Sequence, residues 1–252
     1  MPFTISHAAA ALPLRRFGKF RLPLAALMIG SMSPDYAYFL PLGFDRVETH
    51  SIAGLFIFCW PASLGLWLLF VRVLEPPTMT LLPENWRSRF PSSSPEITLR
   101  VLGLASVAVL LGALTHLVWD AFTHGRTVVT QAIPALKSVA FHIDGRRIRW
   151  FFLLQLLSSV FGVLALALWA WRQPPGRYPR PQPKTPLSNG MRLRAVLAII
   201  GLSSALAMAG YLANSELHFR GRVFHLLVGG MTGLVLAWCA IAVVIRRRSN
   251  AG

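Results

Sequence analysis

Within the stretch LTHLVWDAFTHGR, residues 114–126, His116, Asp120 and His124 follow one another at intervals of four. Imidazole nitrogens and a carboxylate are ligands for divalent transition ions, and the same groups move protons in hydrolysis. A helix turns about 100° per residue and rises about 1.5 Å, so these three would share one face, drifting about 40° at each step. His116 and His124 would then stand about 12 Å apart along the axis. That is too far for all three to hold one ion. It suits two neighbouring ions with Asp120 between them as a bridge. The stretch ends a run of nearly pure hydrocarbon, where polar groups are expensive and a lipid-facing helix has no use for them.

Residues of the same types recur elsewhere. His50 lies in ETHSIAG, Asp35 in GSMSPDYAYF and His7 in TISHAAAALPLRR. Four imidazoles and two carboxylates are the donor set of a zinc or mixed divalent site. A lone histidine in a helical bundle is usually a hydrogen-bonded structural residue, and His218 and His225 are assigned that way. Asp35 alone would cap a helix after Pro34. His142 and Asp144, in FHIDGRR, either add ligands or make a polar turn. Gln155 stands where it can hydrogen-bond a ligand or a water.

The elements that must carry these groups are membrane helices. The chain has 252 residues, 54% of them hydrophobic and only 13% charged, against about 25% charged in soluble domains. Apolar windows lie at 22–42, 51–71, 101–119, 150–171, 195–213 and 223–245, each near the length that crosses the hydrocarbon core. The first is interrupted by Pro34 and Asp35. The fold class is therefore all-α, a polytopic bundle of about six spans. Trp119, Trp150, Trp169 and Trp171 near span ends suit an interfacial belt.

The net charge is +16. In a soluble protein this would suggest nucleic acid; here the positives belong to short loops beside lipid, and no nucleic-acid partner is expected. Counting Lys and Arg by side gives 17 on one face and 8 on the other. The richer face is assigned to the cytoplasm of a bacterial inner membrane. The loop 121–149 is the exception, with Arg126, Lys137, Arg146, Arg147 and Arg149 on the outer side. Cys59 and Cys239 lie inside spans and imply no disulfide framework. The segment RRFGKF before an apolar run is no export signal, since Asp35 interrupts the run, no small-residue cleavage site follows and further spans come after it.

Residues 1–172 read as the bundle carrying the His/Asp site, 173–192 as a Pro-rich cytoplasmic linker and 193–252 as a C-terminal helix pair. His7 precedes the basic turn 15–21, yet a short helix over 4–14 and a second over 22–35 would form a hairpin that returns His7 beside Asp35. All six candidate ligands then converge at one end of the bundle.

The segments MPFTISHAAAALPLRR, GSMSPDYAYFLPLG, THSIAGLFIF, LLGALTHLVWDAFTHG and LLQLLSSVFG resemble the bacterial multi-pass family called domain of unknown function 4184, over roughly residues 1–165. That family carries no established activity. The order His, Pro-Asp, Thr-His, then His-x-x-x-Asp and a further His is more remotely similar to membrane-bound metal-dependent hydrolases and to the zinc-dependent phospholipase C group. The resemblance implies His7, Asp35, His50, His116, Asp120 and His124 as ligands, with Asp120 bridging. Two features depart from the phospholipase pattern: His142 is followed four residues on by Arg146 where a Glu is expected, and no N-terminal ligand is evident.

The expected activity is divalent-metal-dependent hydrolysis, with zinc the favoured ion, of a phosphoester or other ester in a lipid. Asp35 would act as general base and Asp120 as bridging carboxylate, with Arg126, Arg146 and Arg147 holding a phosphate. The alternative is a transporter or metal-handling protein using the same ligands for an ion path. Transporters more often show repeats and interrupted helices in both halves, whereas only the first span is interrupted here. Haem ligation by histidine pairs is a third class, which the aspartates do not suit.

Overall fold

The computed structural model describes residues 4–17, 20–39, 43–91, 96–143, 145–178 and 186–251. The chain is built from helices, with two short antiparallel hairpins between them. Among the described residues, five helical stretches are long and apolar enough to cross a membrane: Ile52–Leu81, Leu99–Ala132 (a long helix and the short one that follows its end), Trp150–Arg172, Asn189–Ala213 and Gly221–Arg248.

The remaining apolar window, 22–42, forms a shorter helix over its described residues, 22–39. Helix α2 covers Leu24–Met32, nine residues, and passes into a 3-10 helix, Ser33–Tyr38. Nine residues rise about 14 Å, roughly half of the hydrocarbon core. Pro34 explains the change, because it lacks the N–H that would continue the α-helical hydrogen-bond ladder. Side chains take up carbonyls of the last turns instead: the Ser33 hydroxyl donates to Gly30 O at 2.7 Å and the Tyr36 hydroxyl to Ile29 O at 2.8 Å.

The N-terminal arm is the hairpin that the spacing implies. A 3-10 turn, Thr4–His7, runs into α1, Ala8–Ala11, and then a second 3-10 turn, Leu12–Arg15. Strands β1 (Arg16–Phe17) and β2 (Phe20–Arg21) pair antiparallel and reverse the chain into α2. Helix α3 (Arg46–Thr49) is a single turn, started by a reciprocal capping box between Asp45 and Glu48. Helix α4, Ile52–Leu81, follows directly, with Ser51 as its N-cap. Its turns widen to π geometry at Leu55–Cys59 and Phe70–Leu74. Each widening stands just before prolines (Pro61, and Pro76 with Pro77), whose rings an unwidened turn would drive against earlier carbonyls.

Helix α5 spans Leu99–Thr123. Strands β3 (Val139–Ile143) and β4 (Arg146–Arg149) form the second hairpin and lead into α6, Trp150–Arg172. Helices α7, Asn189–Ala213, and α8, Phe219–Ala251, complete the chain.

Two compact units divide these elements. The first holds residues 1–67 and 96–172. Its core is made of small side chains between α1, α2 and α5: Ala8, Ala11, Ala26, Ala105, Ala108 and Ala113, with Leu27 and Val109, are all buried. The backbones nearly touch. A Cβ added at Gly112 would meet Leu27 O at 2.2 Å, and one at Gly30 would meet Val109 O at 2.2 Å. Glycine is what permits this approach between membrane helices. The second unit holds 68–95 and 173–252, so its boundary falls inside α4 as well as at Arg172. Within it, the Trp238 indole donates to Thr78 Oγ1 at 2.7 Å and Arg246 to Arg72 O at 2.8 Å, which ties the end of α4 to α8.

Candidate metal centre

The glycine-mediated crossing of α2 and α5 places His116 against the end of α2. Its Nδ1 lies 2.8 Å from Ser31 O. A carbonyl only accepts, so Nδ1 carries the proton and Nε2 presents a lone pair on the opposite edge. That lone pair faces Asp35 Oδ1 at 3.8 Å and Asp120 Oδ2 at 3.7 Å. The His116 side chain is wholly buried.

His50 is built by the same device from another element. It closes the single turn of α3, and its Nδ1 lies 2.9 Å from Arg46 O. Its Nε2 therefore also offers a lone pair, 3.6 Å from Asp35 Oδ1 and 3.4 Å from Asp120 Oδ2. The neighbouring Thr49 donates to Pro34 O at 2.8 Å and fastens α3 to the turn that carries Asp35.

Asp35 sits at the second position after Ser33 in the 3-10 turn and is buried. Its Oδ2 accepts the Thr4 hydroxyl at 2.7 Å, which leaves Oδ1 toward the two histidines. The N-terminal arm completes the cluster. The His7 ring stacks on His116 with centroids 3.8 Å apart, and its Nε2 lies 3.7 Å from Asp120 Oδ1.

These groups form two overlapping triads whose ligand atoms lie within 4.8 Å of one another: His7, Asp35 and His116, and His50, His116 and Asp120. Helix periodicity placed His116 and Asp120 on one face, and the structure keeps them there. His124 departs from that face. The α-helix ends at Thr123, and His124 has extended backbone, φ −122° and ψ 136°. The Thr127 hydroxyl takes the Ala121 carbonyl and the Thr130 hydroxyl takes the His124 carbonyl, which together turn the chain. His124 belongs to neither triad. It meets the cluster at its edge, with Nδ1 3.4 Å from Asp120 Oδ2, and its Nε2 lies 3.2 Å from Gln155 Nε2. Gln155 is the buried residue of α6.

The donor set fits a divalent ion on three grounds. First, the His–Asp separations of 3.4–3.8 Å exceed charge-assisted hydrogen bonds, which run to about 2.9 Å. Ligands about 2.1 Å from a tetrahedral ion stand about 3.4 Å from each other. Second, among the described residues eight buried side-chain polar atoms lack a hydrogen-bond partner, and five are in this cluster: both His7 nitrogens, Nε2 of His50 and His116, and Oδ1 of Asp120. At about 1–3 kcal/mol each, five such atoms in one place would cost as much as a domain's whole stability, about 5–15 kcal/mol. Third, two histidines give Nδ1–H to a carbonyl, the outer arrangement that sets the tautomer of metal-binding imidazoles.

Arg46 is the residue that sequence reasoning left out. Its Nη2 donates to Asp120 Oδ2 at 3.0 Å, and its side chain is 40% exposed. Its place four residues before His50, one helical turn, was the signal available. The arginines expected to hold a phosphate are on exposed segments. Arg126 lies in the turn after α5, and Arg146 and Arg147 are on β4, with all three side chains exposed. His142 pairs with Arg147 across the hairpin and is exposed, and Asp144 lies outside the described residues.

Fold and site together define a multi-pass helical membrane protein with a buried histidine–aspartate centre. The chain belongs to the family described as Domain of unknown function (DUF4184), whose model matches residues 1–243. No curated protein and no solved structure matches it.

Proposed function

We propose that this protein is a divalent-metal-dependent hydrolase of a phosphoester or other ester carried by a membrane lipid, with zinc as the favoured ion. One observation carries the reading. His50 and His116 are each pinned through Nδ1 to a backbone carbonyl, with Nε2 aimed at the same two carboxylates across gaps too long for hydrogen bonds. A bound divalent ion would supply Lewis acidity, polarising the ester and acidifying water beside it.

His7, Asp35, His50, His116 and Asp120 would hold the metal, and His124 would steady Asp120 from the edge. The carboxylates divide the work. Asp35 has one oxygen taken by Thr4 and the other facing the histidines, which suits a ligand. Asp120 has one oxygen that accepts no hydrogen bond. That Oδ1 would take the proton of the attacking water as its oxygen bonds to phosphorus or acyl carbon, then return it to the alcohol as the ester bond breaks. Arg46, half-exposed at the cluster's edge, would hold the anionic oxygen of the substrate.

The test is a panel of phospholipids and lipid phosphates offered to detergent-purified protein with and without chelator. Turnover that is lost on chelation and returns with zinc supports the reading. If no ester is cleaved while reconstituted vesicles show metal flux, the transporter reading replaces it.

A further inference from the structure

The first unit contains an apolar groove of about 470 Å³ between the N-terminal arm, α5 and α6. That volume falls in the lower part of the range for small-molecule sites. Its apolar lining includes Ala9, Ala10, Trp119, Leu154, Leu157 and Phe161, and its polar lining is Ser6, His7 and Ser158. Gly162 lets α6 cross the arm closely, since a Cβ there would meet Ser6 O at 2.7 Å.

His7 gives the groove its meaning. His7 is one of its lining residues, and the His7 ring, buried behind it, is stacked on His116 and lies 3.7 Å from Asp120. The groove and the cluster thus share a residue. Trp119, Leu157 and Phe161 are exposed on helices long and apolar enough to cross a membrane, so hydrocarbon is the medium in front of them. A second apolar depression on α6, lined by Ser159, Val160, Val163 and Leu164, includes no residue of the cluster.

We propose that the groove holds one hydrocarbon chain of the lipid whose ester is presented to the cluster, so that substrate arrives sideways from the bilayer past His7. The substrate class is then an amphiphile with at least one long chain. The proposal rests on the hydrolase reading for its chemistry.

The experiment reconstitutes the full chain in bilayers doped with a phospholipid carrying a photoreactive diazirine in its acyl chain. Cross-links are mapped to residues by mass spectrometry. Labelling at Leu154, Leu157 and Phe161 should exceed that at Val160, Val163 and Leu164 by at least fivefold. Ala10→Trp should bring it down to the level of the second depression while metal content is kept, and Leu157→Trp should do the same if the first variant fails to fold. Equal labelling of both depressions, or labelling indifferent to both fillings, overturns the proposal. Concentrated labelling without any lipid hydrolysis would remove the hydrolase reading and leave a lipid site. Lipid hydrolysis with uniform labelling would remove the groove alone.

Discussion

Helices α2 and α5 in the first unit, and α7 and α8 in the second, are brought together by the same device. Gly30 and Gly112 let α2 and α5 approach until a Cβ would strike a carbonyl at 2.2 Å; Gly229 and Gly210 do this for α7 and α8, at 2.2 and 2.4 Å. The outcomes differ. The first crossing delivers Ser31 O to His116, on whose ring His7 stacks and which His50 meets edge-on. The second delivers the His225 carbonyl to Gly210, and the His225 ring meets its own neighbour Phe224, edge-on. Close packing therefore supplies precision, while chemistry requires polar groups from several elements to arrive at one depth.

The largest expected effect comes from spoiling each crossing. Gly112→Leu and Gly229→Leu should each destabilise the chain by about 1–3 kcal/mol, the range for overpacking. Only Gly112→Leu should lose bound metal, because only that crossing aims a histidine. Thermal melts and elemental analysis of both variants check this, and metal loss in Gly229→Leu would break the contrast.

A smaller effect is expected at Arg46. Arg46→Ala should keep the metal and weaken inhibition by inorganic phosphate roughly tenfold, about the worth of one charged hydrogen bond at 1.5 kcal/mol. Inhibition curves measure this, and unchanged inhibition would return Arg46 to a plain partner of Asp120. The smallest effect belongs to the exposed β3–β4 hairpin and the turn before it. Arg126→Ala, Arg146→Ala and Arg147→Ala combined should change phosphate inhibition less than twofold, and stability by no more than about 0.5 kcal/mol per site. A tenfold loss would place those arginines at the substrate site.

Much of this was legible in the sequence, for identifiable reasons. Five apolar windows read as spans because length and hydropathy alone decide them. His116 and Asp120 share a face because both lie inside a regular helix. The convergence of His7 on Asp35 followed from two arms of similar length joined by a basic turn. What was illegible depends on local backbone choices. His124 left the helical face because two threonine hydroxyls beyond it turn the chain, and no periodicity encodes that. The window 22–42 shortened because Pro34 exchanged an α-turn for a 3-10 turn. Arg46 was hidden because its role depends on the one-turn helix Arg46–Thr49, too short to show a period. The phosphate role expected of the arginines of 121–149 rests on loop charge alone, which shows which side of a membrane a residue occupies and not where its side chain points.

The central claim is that the cluster is a metal centre, and elemental analysis of the detergent-purified full chain tests it most directly. Wild-type protein should hold at least about one equivalent of a divalent transition ion, zinc foremost, after dialysis against metal-free buffer. His116→Ala and Asp120→Ala should lose that ion by tenfold or more, since each removes a donor from the triad His50, His116 and Asp120, and His225→Ala in α8 should keep it. Metal-free wild-type protein that also fails to take up added zinc, or equal metal in wild type and Asp120→Ala, would contradict the account and leave the histidines and aspartates as structural residues.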